Sequence, residues 1–258
     1  MSVSTAFEKA RADGRAALIG YLPAGYPDVD GSIEALKAMV AAGCDVIEVG
    51  LAYSDPVMDG PVIQAAVQHA LEGGVRTDDV FRVVEAVAAT GTPTLVMTSW
   101  NPVERHGVER FAQRLHDAGG AGLITPDVTP EVVPEWIAAA DARDLDKVFL
   151  VAPSSTDERI AMTTSNCRGF VYATGIMGVT GTTQATAAGV APLIARTRLT
   201  TQLPIGVGVG VSTGAQAAEL SEHVDGVIVG TAFVRALDSG LPALTALTEE
   251  LAAGVRRA

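Results

Sequence analysis

Short apolar runs alternate along this chain with longer stretches in which apolar positions recur every three or four residues. Eight runs stand out: Ala16–Leu22, Asp45–Gly50, Thr92–Met97, Ala121–Thr125, Lys147–Ala152, Gly169–Ala173, Pro204–Val209 and Asp225–Gly230. They are rich in Val, Ile and Leu and alternate poorly, which is how parallel strands covered on both faces read. The stretches between them carry helical spacing and end signals. VDGSIEALKAMVAAG predicts a helix capped by Asp30 or Ser32 and ended by Gly43. VERHGVERFAQRLHDAGG predicts one helix ending in a glycine pair. TPEVVPEWIAAADAR predicts one helix with Thr129 as cap and Pro130 in its first turn. STGAQAAELSEH and LPALTALTEELAAGVRR are predicted to follow the last two strands, and STAFEKARADG gives an extra helix ahead of the first.

Eight strand–helix alternations without a linker or low-complexity segment predict one domain over residues 1–258. The natural closure is a (β/α)8 TIM barrel, with the extra N-terminal helix covering its bottom. The rival is a doubly wound open sheet with fewer strands. At 48% hydrophobic but 5% aromatic residues, the core must be built mainly of Ala, Val, Leu and Ile. A net charge of −12 argues against nucleic acid and anionic membrane as partners, since both repel an acidic surface. No apolar run reaches membrane-spanning length, and the first residues lack the apolar region of a secretory signal, so the cytoplasm is expected. Cys44 and Cys167 stand far apart with no CxxC, which favours reduced thiols.

In a barrel of this kind the chemistry lies at the C-terminal ends of the strands. In DVIEVG, Val46, Glu48 and Gly50 share one face, and Ile47 and Val49 the other. The aliphatic face suits packing on helices, so Glu48 is expected to point into the barrel near its top. A carboxylate there is costly unless paired or protonated, and no Lys or Arg lies between Lys37 and Arg76. A raised pKa and proton transfer are the expected consequence. Asp59, in the loop leaving the same strand, is the second candidate acid, preferred over the turn residue Asp55. Tyr172, near the top of the sixth run, is a third candidate. The long Gly/Thr stretch behind it, residues 173–188, is expected to act as a lid.

Glycine-rich loops follow the last three strands, the usual phosphate site of the fold. No cation occurs from Gly169 to Ala195 or from Leu199 to Val234, so a phosphate there would be held by amides and by hydroxyls such as Thr231 and Ser212. Neither GxGxxG nor a P-loop is present. None of the three lysines, Lys9, Lys37 and Lys147, is placed to form a Schiff base, and the four histidines show no metal-ligand spacing. Carboxylate acid–base chemistry on a phosphorylated substrate is what remains, without a metal or cofactor in this chain.

The segments YLPAGYPD, IEVGLAYSDPVMDGPVIQ, NPVERHGVERF, GVTG and GVGVSTGAQ, in that order, resemble the signatures of the tryptophan synthase alpha chain family. The resemblance implies a (β/α)8 barrel and a lyase that cleaves indole-3-glycerol phosphate to indole and glyceraldehyde 3-phosphate. It implies Glu48 as the acid/base, Asp59 as the carboxylate that accepts the indole N–H, and Tyr172 as the tyrosine before the lid. Gly181, Gly210, Gly230 and Thr231 match phosphate-binding positions, Tyr21 and Ile63 line the indole pocket, and Thr180 links the lid to the carboxylate loop. Pyridoxal phosphate is implied not here but in a partner beta chain, within an α2β2 assembly. Ser99 and Trp100 depart from the family pattern, in which many members carry tyrosines. So does ATGIMGVTG, which lacks the Ser/Arg pattern often seen before GVTG. Two other readings stay open: a different sugar-phosphate barrel enzyme such as an isomerase, and a non-catalytic subunit that only activates a beta chain.

Overall fold

In a computed structural model, residues 2–175 and 187–256 are described. Among the described residues, nine strand segments run parallel in the order β5-β4-β3-β2-β1-β9-β8-β7-β6. They are β1 (Ala17–Pro23), β2 (Val46–Gly50), β3 (Thr94–Met97), β4 (Gly122–Ile124), β5 (Asp146–Val148), β6 (Leu150–Val151), β7 (Val171–Thr174), β8 (Ile205–Gly208) and β9 (Gly226–Val229). The two outermost segments, β5 and β6, are separated in the chain by Phe149 alone. They are two halves of one stave, so the row closes on itself as an eight-stave barrel. The predicted fifth strand is thus real but interrupted. Phe149 turns its ring out into the helix layer, and its carbonyl still accepts the Tyr172 N–H at 3.2 Å.

The pleat sorts the strand residues into two cores. Ile47, Val49, Val96, Leu123, Val171 and Val207 face outward onto the helices. Ala17, Ile19, Val46, Leu95, Ile124, Val148, Phe170 and Ile228 face inward and fill the barrel. Glycines of the inward set make room for large neighbours. A Cβ at Gly206 would lie 2.9 Å from the Phe170 ring, and one at Gly226 would lie 2.8 Å from Phe7. Phe7 belongs to α1 (Ser4–Ala12), the extra helix, which plugs the bottom of the barrel with its ring 5.4 Å from that of Phe170. Asp146 anchors the plug: it is fully buried and accepts hydrogen bonds from Val3 N at 2.8 Å and Ser2 Oγ at 3.0 Å.

The outer layer corrects several helix expectations. α2 (Val29–Ala42) is capped by Asp28, whose side chain accepts from Gly31 N at 2.7 Å, not by Asp30 or Ser32; Gly43 ends it in the left-handed region. α3 (Pro61–Glu72) and α4 (Thr77–Ala88) both stand between β2 and β3. The single helix expected over VERHGVERFAQRLHDAGG is two, α5 (Trp100–His106) and α6 (Val108–Asp117), because Gly107 at φ +92 breaks the ladder between them. After Thr129 only a 3-10 turn forms (Pro130–Val132), and the helix proper, α7 (Pro134–Asp141), restarts at the second proline, which cannot donate to the preceding turn. α8 (Asp157–Asn166), α9 (Ala187–Arg198) and α10 (Gly214–Ser221) follow in turn. A short helix, α11 (Thr231–Asp238), stands between the last strand and α12 (Leu241–Gly254), where the sequence reading expected α12 directly.

Candidate active site

Glu48 lies in the middle of β2, inward, and is wholly buried. Among the described residues, neither of its carboxylate oxygens has a hydrogen-bond partner. Burial alone pushes its carboxyl up to about 8. At neutral pH the group is therefore a protonated acid, close to the range in which a proton passes easily in either direction.

Two phenols flank it. Tyr21 of β1 stands in register with Glu48 across the β1–β2 ladder. Tyr172 of β7 reaches in from the far side of the barrel. Each hydroxyl rests where a glycine leaves a notch in the inner wall. A Cβ at Gly208 would lie 2.6 Å from Tyr172 Oη, and one at Gly50 would collide with Tyr21 Oη. Burial first, and then the nearby Glu48, keeps the Tyr172 phenol far above its usual range. The Tyr21 phenol is raised by burial, then by Asp59, Glu48 and Tyr172. Both phenols remain hydrogen-bond donors at any working pH. The sequence reading did not single out Gly50 and Gly208 for this role. Their inward parity, two residues beyond Glu48 and Gly206, was the available signal.

Asp59 lies half-buried at the end of the loop from β2 to α3, and burial raises its carboxyl above the ordinary range. Gln64 on α3 holds this part of the loop by donating Nε2–H to the Asp59 carbonyl at 2.8 Å. Asp55, the other acid of the loop, is exposed and accepts a hydrogen bond from Ser54 Oγ at 2.6 Å. Ile63, one turn into α3, is buried in the layer between helix and strand. Trp100, at the start of α5, is half-buried, and its backbone N–H donates to both oxygens of Asp127 at 3.0 Å.

The glycine-rich side of the mouth offers two helix N-termini, and they differ. At α10, Thr213 and Gln216 form a reciprocal cap, and Gln216 Oε1 also accepts the Ser212 N–H at 2.8 Å and its hydroxyl at 3.1 Å. Ser212, a candidate phosphate hydroxyl, is thus committed to the cap. At α11, Gly230 is the cap residue and supplies no side chain, so the first turn from Thr231 presents backbone N–H groups. Gly210 lies exposed in the intervening loop at φ +77. Thr180, Gly181 and most of the expected lid fall outside the described residues.

Lys9 and Lys37 are exposed on α1 and α2, and Lys147 is buried at the bottom of β5 in an ion pair with Asp141. Among the described residues, no group of three or more His, Cys, Asp and Glu is disposed to hold a metal ion. No helix there is long and apolar enough to cross a membrane.

Comparison with known proteins gives the family of the chain. The family model described as tryptophan synthase alpha chain matches residues 7–256. The tryptophan synthase alpha chain of Nocardia farcinica is 58% identical over 256 residues, covering 99% of this chain and 96% of the relative. That of Salinispora arenicola is 59% identical over 262 residues, covering 98% and 97%. Among solved structures, Mycobacterium tuberculosis tryptophan synthase superposes with a TM-score of 0.95 at 54% identity, over 98% of each chain. The alpha subunit from Legionella pneumophila superposes at 0.91 with only 28% identity, over 100% of both.

Proposed function

We propose, for a chain that belongs to the tryptophan synthase alpha chain family and so cleaves indole-3-glycerol phosphate to indole and glyceraldehyde 3-phosphate, that Glu48 and Asp59 divide the proton traffic of this lyase reaction. The observation that carries the assignment is the Glu48 carboxyl, fully buried with both oxygens unpartnered among the described residues. A group held as the acid by burial is ready to give its proton to indole C3. Asp59 accepts the indole N–H and offsets the positive charge that grows on the ring. Glu48, now a carboxylate in an apolar site, takes the proton of the glycerol hydroxyl next to the bond that breaks. The carbon–carbon electrons return to the ring, indole leaves, and the aldehyde remains. Glu48 ends as it began, protonated. Tyr172 borders this exchange from the opposite wall, and Ile63 closes the indole side.

On this reading Gly181, Gly210, Gly230 and Thr231 hold the phosphate at the glycine side of the mouth, and Thr180 links the expected lid to the loop that carries Asp59. The uncapped first turn of α11 supports this reading, since amides aimed along a helix axis bind a dianion without a cation. The chain acts as one domain over residues 1–258, in the cytoplasm, with a beta chain in an α2β2 assembly. The beta chain carries the pyridoxal phosphate and receives the indole. Indole release from indole-3-glycerol phosphate, with and without the beta chain, tests the whole reading. Glu48→Gln should nearly abolish release while leaving phosphate binding intact. Near-normal turnover by the folded variant would overturn the assignment.

A further inference from the structure

We propose that Gln64 is a positioning residue of the same reaction: its side-chain amide pins the Asp59 peptide and so keeps the carboxylate aimed at the indole N–H. The inference rests on the role proposed above for Asp59. That acid sits on a loop with little to hold it. Among the described residues, no backbone–backbone hydrogen bond joins residues 52–59 to any other part of the chain. Ser54 bonds to its neighbour Asp55, within the loop. The hydrogen bond that a described residue gives Asp59 is the one from Gln64 Nε2 to its carbonyl, at 2.8 Å. A carbonyl can only accept, so the amide nitrogen must be the atom that faces it.

Gln64 stands on firm ground. α3 is anchored by Ile63, Ala66, Val67 and Ala70, all buried. The backbone N–H of Gln64 donates to the Gly60 carbonyl at 2.9 Å, the opening bond of the helix. One residue thus grips two successive carbonyls, those of Asp59 and Gly60, at the point where the loop runs into the helix. The helix itself has no need of the second grip. Its first turn carries spare N–H groups and Gly60 offers them no side chain, so acceptors and negative charge are what would stabilise it. The contrast with α10 is direct. There Gln216 turns its oxygen toward the Ser212 amide and serves the cap. Gln64 turns its donor the other way, toward the loop that carries the acid.

Gln64 is exposed, so water can satisfy the Asp59 carbonyl once the amide is gone, and the fold keeps its stability. What the loss touches is the aim of the carboxylate, and misplacement of a reacting group costs rate. Gln64→Met keeps the length of the side chain and removes the donor. In the full chain, assayed alone and with the beta chain, we expect kcat on indole-3-glycerol phosphate to fall about three- to tenfold, the scale of one ordinary hydrogen bond. KM, inhibition by glyceraldehyde 3-phosphate and the melting temperature should stay unchanged. Gln64→Glu supplies the charge that the helix start favours but no donor, and should lose kcat in the same way. In an Asp59→Asn background, Gln64→Met should add no further loss. Wild-type kcat in Gln64→Met, a rise in KM alone, recovery of kcat in Gln64→Glu, a loss that follows a fall in melting temperature, or a fully additive loss in the double variant would each overturn the proposal. Wild-type kcat in Asp59→Asn would instead overturn the underlying reading of that acid.

Discussion

Glu48 and Asp146 are both fully buried carboxyl groups on inward positions of the same barrel, one near its mouth and one at its floor. Burial raises both above the ordinary range. At the floor that push is opposed by the Val3 amide at 2.8 Å, the Ser2 hydroxyl at 3.0 Å and the Arg168 guanidinium at 3.5 Å. Near the mouth no described residue opposes it, and the group stays uncharged by keeping its proton. The same cost of desolvation is met in two ways, by partners in one case and by protonation in the other. Only the second leaves a proton available for chemistry.

The largest test exchanges each acid for a group that cannot ionise. Glu48→Gln preserves shape and removes no hydrogen bond, so indole formation should fall by about 10²–10⁴, the range for general acid–base catalysis, with no loss of stability in denaturant titration. The two should also part with pH. The folded pKa of Glu48, about 8, exceeds its ordinary value of 4.5, so the folded state keeps a proton that the unfolded chain releases between these values. The stabilising effect is complete below about 4.5 and is lost as pH rises through about 8. Measured as the difference from wild type, Glu48→Gln should gain relative stability across that window and level off above it. A constant difference between pH 4.5 and 8 would contradict the buried, partnerless state. Asp146→Ala should do the opposite: lose about 2–3 kcal/mol of stability by stranding buried donors, while turnover per folded molecule stays normal.

A smaller contrast uses the glycines at the two levels. Gly226→Ala brings a Cβ to 2.8 Å from Phe7 and 2.9 Å from Ile19 Cδ1, beneath the site, and overpacking there should cost about 1–3 kcal/mol with activity retained. Gly208→Ala brings a Cβ to 2.6 Å from the Tyr172 hydroxyl, at the mouth, where the contact is with the far end of a side chain. Its melting temperature should shift less and its kcat/KM more than those of Gly226→Ala. The reverse ranking would mean that the mouth is packed as structure and not kept open for substrate.

What sequence made visible follows the same division. The inward parity of Val46, Glu48 and Gly50 is a local fact of a two-residue period, and so the acid was legible. Asp59 was legible as an acid on the loop leaving the same strand, and its preference over the turn residue Asp55 was fixed by the family resemblance. The notches at Gly50 and Gly208 were not, because each phenol leans along its strand past its register partner. Tyr21 pairs with Glu48 and reaches Gly50; Tyr172 pairs with Gly206 and reaches Gly208. Asp146 escaped notice for a different reason. Its partners Ser2 and Val3 lie 144 and 143 residues away, and no local pattern announces such a contact. Gly107 and Pro134 show the limit in the helices. Apolar spacing runs on across both, and only the backbone, through a left-handed turn or a missing donor, reveals the break.

The finest test stays at the floor and asks how much of the Asp146 compensation each partner supplies. Ser2 Oγ lies 3.0 Å from both carboxylate oxygens, but the serine is half-buried and water can replace its hydroxyl. Ser2→Ala should therefore cost only about 0.5–1 kcal/mol, the net value of an ordinary hydrogen bond. The Val3 amide, wholly buried, has no such substitute and keeps its bond in the variant. Removing the hydroxyl also takes away one of the groups that hold the Asp146 carboxyl down, so its pKa should rise further. The small loss should then be greatest at neutral pH and shrink in acid, where Asp146 is protonated in wild type and variant alike. Stability measured at both pH values decides it. A loss that does not change with pH would assign Ser2 to the capping of α1, where its hydroxyl also meets Ser4 N at 3.2 Å, and not to the buried charge.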